Sequence, residues 1–333
     1  MPDRLAHAVH LLQAGELVAF PTETVYGLGA DAGNPLAVAK IFAAKGRPAD
    51  HPLIVHLPGI DHLKHWARAI PPVAWQLVDA FWPGPLTLIL KRATGVPDAV
   101  TGGQDTVGLR VPAHPLALDL LHAYAQAGGG HHGLCGIAAP SANRFGRISP
   151  TEAVHVHQEL GAAVALVLDG GSCTVGIEST ILDLSRDAPF LLRPGPISAQ
   201  QIATLLGVLP ESPTCVAQDT PRVSGSLAAH YAPTTPLRIV EPAQLVDCLN
   251  TLQHSGQRAA LLCHSSPPPA LPHLWRIMLP AEPEAYARGF YAALRELDQS
   301  AGDLIVVEDI PARPEWLAIA DRLRRAACGA GAK

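Results

Sequence analysis

The stretch Leu17–Leu57, LVAFPTETVYGLGADAGNPLAVAKIFAAKGRPADHPLIVHL, decides the reading of this chain. It parses as strand, polar turn, helix, basic loop and strand. Leu17-Val18-Ala19-Phe20 is an apolar run of strand length, and Pro21, which has no N–H to give to a ladder, stops it. Thr22, Thr24 and Tyr26 then bring hydroxyls, with Glu23 among them and Gly27 and Gly29 behind. Asn34-Pro35 is a helix start, an N-cap side chain followed by proline at the first helical position. Leu36, Val38, Ala39, Ile41 and Phe42 are expected to form that helix's apolar face, and Gly46 to end it. Lys45 and Arg47 stand where the helix lets go, before the apolar run Leu53 to Leu57. A core strand that empties into hydroxyls and glycines, with two cations returning nearby, suits an anion or nucleotide. A polar turn beside a solvated helix end fits the same spacing.

Outward from this stretch, 333 residues suggest two domains, and 48% hydrophobic with 16% charged residues supplies ample core. No apolar run is long enough to span a bilayer and no signal peptide is recognisable, so a cytoplasmic protein is expected. The six cysteines are scattered without a CxxC pair, and the sixteen histidines form no HExxH, which argues against a zinc cluster or a disulfide framework. The net charge of −5, with neither half basic, argues against a broad phosphate-neutralising face. Any anion site must be local.

Down the chain, a helix is expected at residues 4–14, followed by the opening stretch. Short helices are expected at 60–69 and 72–81, and strands at 86–90 and 106–111. The second of these strands carries Arg110 between Leu109 and Val111, pointing either to water or into a cavity that needs a fixed cation. Pro140-Ser141-Ala142-Asn143 is another strand end spilling into polar groups. Ser149-Pro150-Thr151-Glu152 reads as a capping box for a helix to Leu160. Strands at 164–168, 181–184 and 190–193 follow, then a helix capped by Ser198 and stopped by Gly207. Residues 1–207 thus read as one α/β domain and 208–236 as a Pro-rich linker. In 237–333, alternating strands and helices suggest a small Rossmann-like parallel sheet, with no GxGxxG to support dinucleotide binding.

No Walker A sequence and no GxSxG elbow occurs, and nothing marks a nucleophile with its base. What remains is a cavity of hydroxyls and cations, working by positioning and charge neutralisation. Pro21-Thr22-Glu23-Thr24-Val25-Tyr26-Gly27-Leu28-Gly29, Lys45-Gly46-Arg47-Pro48, Pro140-Ser141-Ala142-Asn143 and Gly176-Ile177-Glu178-Ser179-Thr180 occur in that order, followed by Leu192-Arg193-Pro194-Gly195. Together they resemble the threonylcarbamoyl-adenylate synthase family, the YrdC-like proteins. His230-Tyr231-Ala232-Pro233 and the trailing α/β unit resemble its longer, two-domain form.

The resemblance implies a twisted mixed sheet with helices around an open cavity, plus a smaller Rossmann-like α/β domain. It implies that L-threonine, bicarbonate or CO2, and ATP give threonylcarbamoyl-adenylate and pyrophosphate. Mg2+ would be carried by ATP, with no metal held by the protein. A partner tRNA threonylcarbamoyl transferase complex would then modify the adenosine beside the anticodon, with little direct tRNA binding by this chain. Carried onto matching positions, Lys45 and Arg47 are the catalytic cations. Thr24, His56, Arg110 and Ser179 would hold threonine. Arg47, His51, Thr106, Ser141, Asn143, Ser149, Arg193 and Tyr231 would hold ATP, with Tyr231 closing from the linker. Two departures stand out: His51 where asparagine is common, and Ser224-Gly225-Ser226-Leu227-Ala228-Ala229 where a Pro-Gly-Met run and a basic pair are expected. Alternative readings are a carbamoyl-adenylate-forming carbamoyltransferase component and a non-catalytic nucleotide- or RNA-binding module.

Overall fold

In the computed structural model, Val18–Phe20 forms β1, and Pro21 ends it. The Thr22 hydroxyl then turns the chain: it accepts from the amides of Thr24 and Val25 and donates to the Val25 carbonyl at 2.7 Å. Gly27–Asp31 returns as β2, antiparallel to β1, with Val18 opposite Gly29. This strand is a correction to the sequence reading, which took the segment as turn. Its glycines disguise it. A Cβ at Gly29 would lie 2.8 Å from the Phe20 ring and 2.9 Å from Ile137 Cγ2, so neighbouring side chains fill the space a strand residue would use.

The next helix, Pro35–Lys45, forms as expected: the Asn34 side chain accepts from Leu36 N and Ala37 N, and Gly46 closes it at φ 60°. Its buried face is Ala37, Val38, Ile41, Phe42 and Lys45, whereas Leu36 is 80% exposed and Ala39 also faces out. The helix is rotated from the face read in the sequence, and the rotation brings Lys45 inside.

The structure describes residues 2–212, 221–225, 227–265 and 274–331. They fall into two compact units. The first comprises 1–145, 150–174 and 178–226; the second comprises 146–149, 175–177 and 227–333. After β2, the first unit adds β3 (Ile54–His56), β4 (Leu86–Lys91), β5 (Thr106–Arg110), β6 (Ile137–Ala138), β7 (Leu166–Val167), β8 (Thr180–Asp183) and β9 (Phe190–Arg193). These make one nine-stranded mixed sheet in the order β7-β1-β2-β6-β3-β5-β4-β8-β9. Strand alternation splits the core between its faces. Ala19, Val55 and Leu109 pack with Ile41, Trp66, Leu77 and Val156, while Val18, Phe20 and Ile137 pack under Leu12, Leu120 and Tyr124.

The expected capping box at Ser149 does not form. The helix begins at Ala153 with Glu152 as N-cap and no side-chain cap bond, so Ser149 lies outside it and is buried. A reciprocal box forms instead at Ser198 and Gln201.

The second unit holds β10 (Leu237–Val240), β11 (Ala259–Cys263), β12 (Trp275–Met278) and β13 (Leu304–Glu308), all parallel, in the order β10-β13-β11-β12. Helices Leu245–His254, Pro283–Gln299 and Leu317–Gly329 alternate with them. The short early segment joins this unit by named contacts. Ala232 N donates to Gly146 O at 2.8 Å, Arg147 pairs with Asp298 at 3.3 Å, and Arg295 donates to Ile148 O. Among the described residues, no helix is long and apolar enough to cross a membrane.

Candidate active site

β3 and β5 run parallel in a register that sets His56 beside Arg110, and β6 sets Ile137 on the other side of His56. Arg110 is buried, so its alternate-position reading as a solvent-facing residue does not hold. Its Nε donates to Gly84 O at 3.1 Å and its Nη1 to Thr24 Oγ1 at 3.0 Å. The Thr22 hydrogen is committed to Val25 O, so in the 2.8 Å contact between the two threonine hydroxyls Thr24 is the donor. Arg110 Nη2 lies 2.6 Å from Glu23 Oε1, both side chains being buried, and Glu23 Oε2 accepts from Ala113 N at 3.0 Å. A buried guanidinium without such a counter-charge would cost several kcal/mol, so the acid decides that Arg110 can face inward.

His56 is neutral: burial, with the Arg110 charge beside it, pushes its pKa down to about 3. Its Nδ1 is buried and has no hydrogen-bond partner. Burial, and then the Glu23 charge, push the thiol of Cys173 up to about 12, so it stays protonated. At this end Arg110 and Glu23 balance one another.

The other end begins on β8 and β9. Ser179 Oγ sits 2.8 Å from Thr87 Oγ1, and Arg193 grips Ser179 twice, Nε to its carbonyl at 3.0 Å and Nη2 to its hydroxyl at 3.1 Å. Arg193 Nη1 donates to Ser224 O at 2.8 Å. Arg47 Nη2 donates to Ser224 Oγ at 3.1 Å and to Pro52 O at 2.9 Å, while the Ser224 hydroxyl donates to Pro52 O. The Arg47 guanidinium lies 5.8 Å from the Phe145 ring centre, and His51 meets the same ring edge-on at 5.3 Å. Burial and the Arg47 charge hold the His51 imidazole below its ordinary range.

Lys45 Nζ donates to Ser141 O at 2.6 Å and to Asn143 O, fixing the turn that carries both residues. Burial, then the Arg47 charge, hold its ammonium well below the usual lysine range. Asn143 is buried and its Nδ2 donates to Arg144 O at 2.7 Å, whereas Ser141 is half-buried opposite Gly27. Thr106 opens β5 opposite Lys91 and is half-buried.

Of the expected site residues, Thr24, Lys45, Arg47, His51, His56, Thr106, Arg110, Ser141, Asn143, Ser179 and Arg193 belong to the first unit. Ser149 and Tyr231 belong to the second. There Tyr231, held at φ 61°, packs its ring 4.2 Å from His230 and 5.7 Å from Tyr291, with the Arg322 guanidinium over it. The sequence reading missed three members. Glu23 stands in the first quoted motif but was read only as a separator between threonines. Thr87 was taken as ordinary strand. Ser224 was seen only as a departure, and it is the residue that joins Arg47 to Arg193.

Two family models match the chain: Sua5/YciO/YrdC, described as telomere recombination, over residues 10–195, and the threonylcarbamoyl-AMP synthase C-terminal domain over residues 197–328. The chain is 41% identical to the threonylcarbamoyl-AMP synthase of Bacillus subtilis over 98% of its own length and 93% of that protein. It is 37% identical to that of Pyrococcus abyssi over 96% and 92%. The crystal structure of P. abyssi Sua5 complexed with L-threonine superposes with a TM-score of 0.90 at 36% identity, covering 99% of this chain and 95% of that one. Matched by both family models and by relatives over nearly their whole length, the chain belongs to the Sua5/YciO/YrdC family in its two-domain form.

Proposed function

We propose that this protein is an L-threonylcarbamoyladenylate synthase, a nucleotidyltransferase that turns L-threonine, bicarbonate or CO2, and ATP into threonylcarbamoyl-AMP and pyrophosphate. The observation that carries the reading is the contrast between two buried polar groups of the first unit, one in which Arg110 pairs with Glu23 and one in which Arg47 and Arg193 meet at Ser224. The first suits a zwitterion and the second a triphosphate.

In this reading the Arg110 guanidinium takes the threonine carboxylate, with Thr24 and Ser179 beside it. Neutral His56 meets the substrate through a ring nitrogen rather than through charge. The threonine ammonium first gives a proton to solvent; the neutral amine nitrogen then bonds to the carbon of CO2 and releases a second proton to solvent, and a carbamate oxygen attacks the α-phosphorus as the bond to pyrophosphate breaks. Lys45 and Arg47 stabilise the charge that develops on the leaving oxygens, with Arg193, His51, Thr106, Ser141 and Asn143 around the nucleotide. Ser149 and Tyr231 complete the nucleotide set that the resemblance implies.

A metal bound by side chains does not fit this end. Its donors are cations, hydroxyls and carbonyls, and among the described residues no cluster of three His, Cys, Asp or Glu could hold an ion. In this proposal Mg2+ is the ion that ATP brings. The product would pass to a tRNA threonylcarbamoyl transferase complex. The match to synthases over nearly the whole of both chains favours this reading over a carbamoyltransferase component.

The test is pyrophosphate release by purified protein with ATP and bicarbonate, with and without L-threonine. Release that depends on threonine is expected; release indifferent to threonine overturns the proposal.

A further inference from the structure

Arg110 can meet only one half of an amino acid. At neutral pH the substrate arrives as a zwitterion, and in a buried site each of its charges needs a partner. The residues that the family resemblance implies for threonine are Thr24, His56, Arg110 and Ser179. They comprise a hydroxyl pair, a neutral imidazole and one cation, with no anion for the ammonium group.

Glu23 fills that gap. It is 6% exposed, and its Oε2 is fixed by the amide of Ala113 at 3.0 Å. Its Oε1 lies 2.6 Å from Arg110 Nη2, but the two are not aligned for a hydrogen bond: both atoms are buried without a hydrogen-bond partner. Arg110 is meanwhile tethered through Nε to Gly84 and through Nη1 to Thr24. Glu23 Oε1 and Arg110 Nη2 thus engage each other by charge alone, and a ligand bearing both charges can take one from each. The thiol of Cys173, on the same wall, is protonated and contributes no charge.

We infer that Glu23 Oε1 receives the α-ammonium group of the amino acid whose carboxylate lies on Arg110, so that Glu23 is a further substrate-binding residue and selects amino acids over 2-hydroxy acids. A zwitterion laid across this pair places each charge against its opposite and leaves the net charge of the site unchanged on binding. A hydroxy acid of the same shape brings only its carboxylate, which leaves the site with a net negative charge. The inference rests on the threonine-binding role proposed above.

Calorimetric titration of the full-length protein with L-threonine, and with the 2,3-dihydroxybutyrate of matching configuration, tests it without turnover. The wild type is expected to favour threonine by about tenfold or more. In Glu23→Gln the threonine affinity is expected to fall by about tenfold or more, while the ATP affinity stays within about threefold and the hydroxy-acid affinity holds or rises. A Glu23→Gln variant that binds threonine as the wild type does overturns the inference. So does an equal loss for both ligands, which would make Glu23 a support of Arg110 alone. Should Glu23→Gln fail to melt cooperatively, Glu23→Asp, which keeps the charge, must still favour threonine over the hydroxy acid; loss of that preference overturns the inference. A wild type that binds no threonine instead overturns the proposed function, so the two failures are distinguishable.

Discussion

Three buried arginines of the first unit, Arg47, Arg110 and Arg193, are treated differently by the chain around them. Arg110 has a carboxylate at 2.6 Å. The contacts described for Arg47 and Arg193 go to carbonyl and hydroxyl oxygens, which orient a guanidinium without cancelling its charge. Burial first, and then the Arg47 charge, hold Lys45 below the usual lysine range, with Glu159 acting against them. The contrast suits two unlike ligands: an ion pair that can exchange partners for a neutral zwitterion, and guanidinium groups oriented by carbonyl and hydroxyl oxygens for a polyanion. An anion bound there would raise the Lys45 pKa again, because it favours the charged form.

The largest effect expected from breaking this contrast is at Arg110. Arg110→Ala leaves Glu23 buried without its counter-charge and removes the carboxylate partner. The threonine KM for pyrophosphate release should rise about 100-fold while the ATP KM moves by less than about threefold. Equal effects on both would take Arg110 out of the amino-acid end. At the other end, Arg193→Ala should raise the ATP KM about tenfold. Because Arg193 also holds Ser179, a smaller rise of about threefold in the threonine KM is expected. A threonine effect exceeding the ATP effect would reverse the assignment of the two ends.

The smallest effect concerns pH and stability. His56 titrates at about 3 when folded against its ordinary 6.5, so between those values the unfolded chain binds the extra proton. Its contribution to stability is therefore full above pH 6.5 and is lost as pH falls toward 3, by about 2 kcal/mol from pH 6.5 to 5. Denaturant unfolding of the wild type and His56→Gln over that range should show the variant losing less stability on acidification. Parallel slopes would mean that His56 is solvated, and the amino-acid end wetter than its burial implies.

Much of this was legible in the residues, and what was hidden has a physical reason. The Asn34 cap, the Gly46 stop and the alternation of the second unit follow local rules, so they read directly. The strand Gly27–Asp31 did not, because packing against Phe20 and Ile137 stripped it of the side chains that mark strands. Ser149 misled by local rule: Ser-Pro-Thr-Glu has the spacing of a capping box, but the helix starts later. Cations announced themselves by type, while Glu23, Thr87 and Ser224 act only through residues distant in sequence, and spacing carries no trace of such partners.

The assignment of 146–149 and 175–177 to the second unit bears on how the chain is made. Synthesis proceeds from the N-terminus, and domains ordinarily fold in the order they emerge. Here the segment holding Arg147 and Ile148 emerges long before Asp298 and Arg295, the residues that bind it. The second unit therefore cannot be completed piecemeal: its first strip meets Ala232 only after about 85 further residues of translation and Asp298 after about 150. Cutting the gene between the two halves would remove the partners of that strip and leave it attached to the wrong fragment.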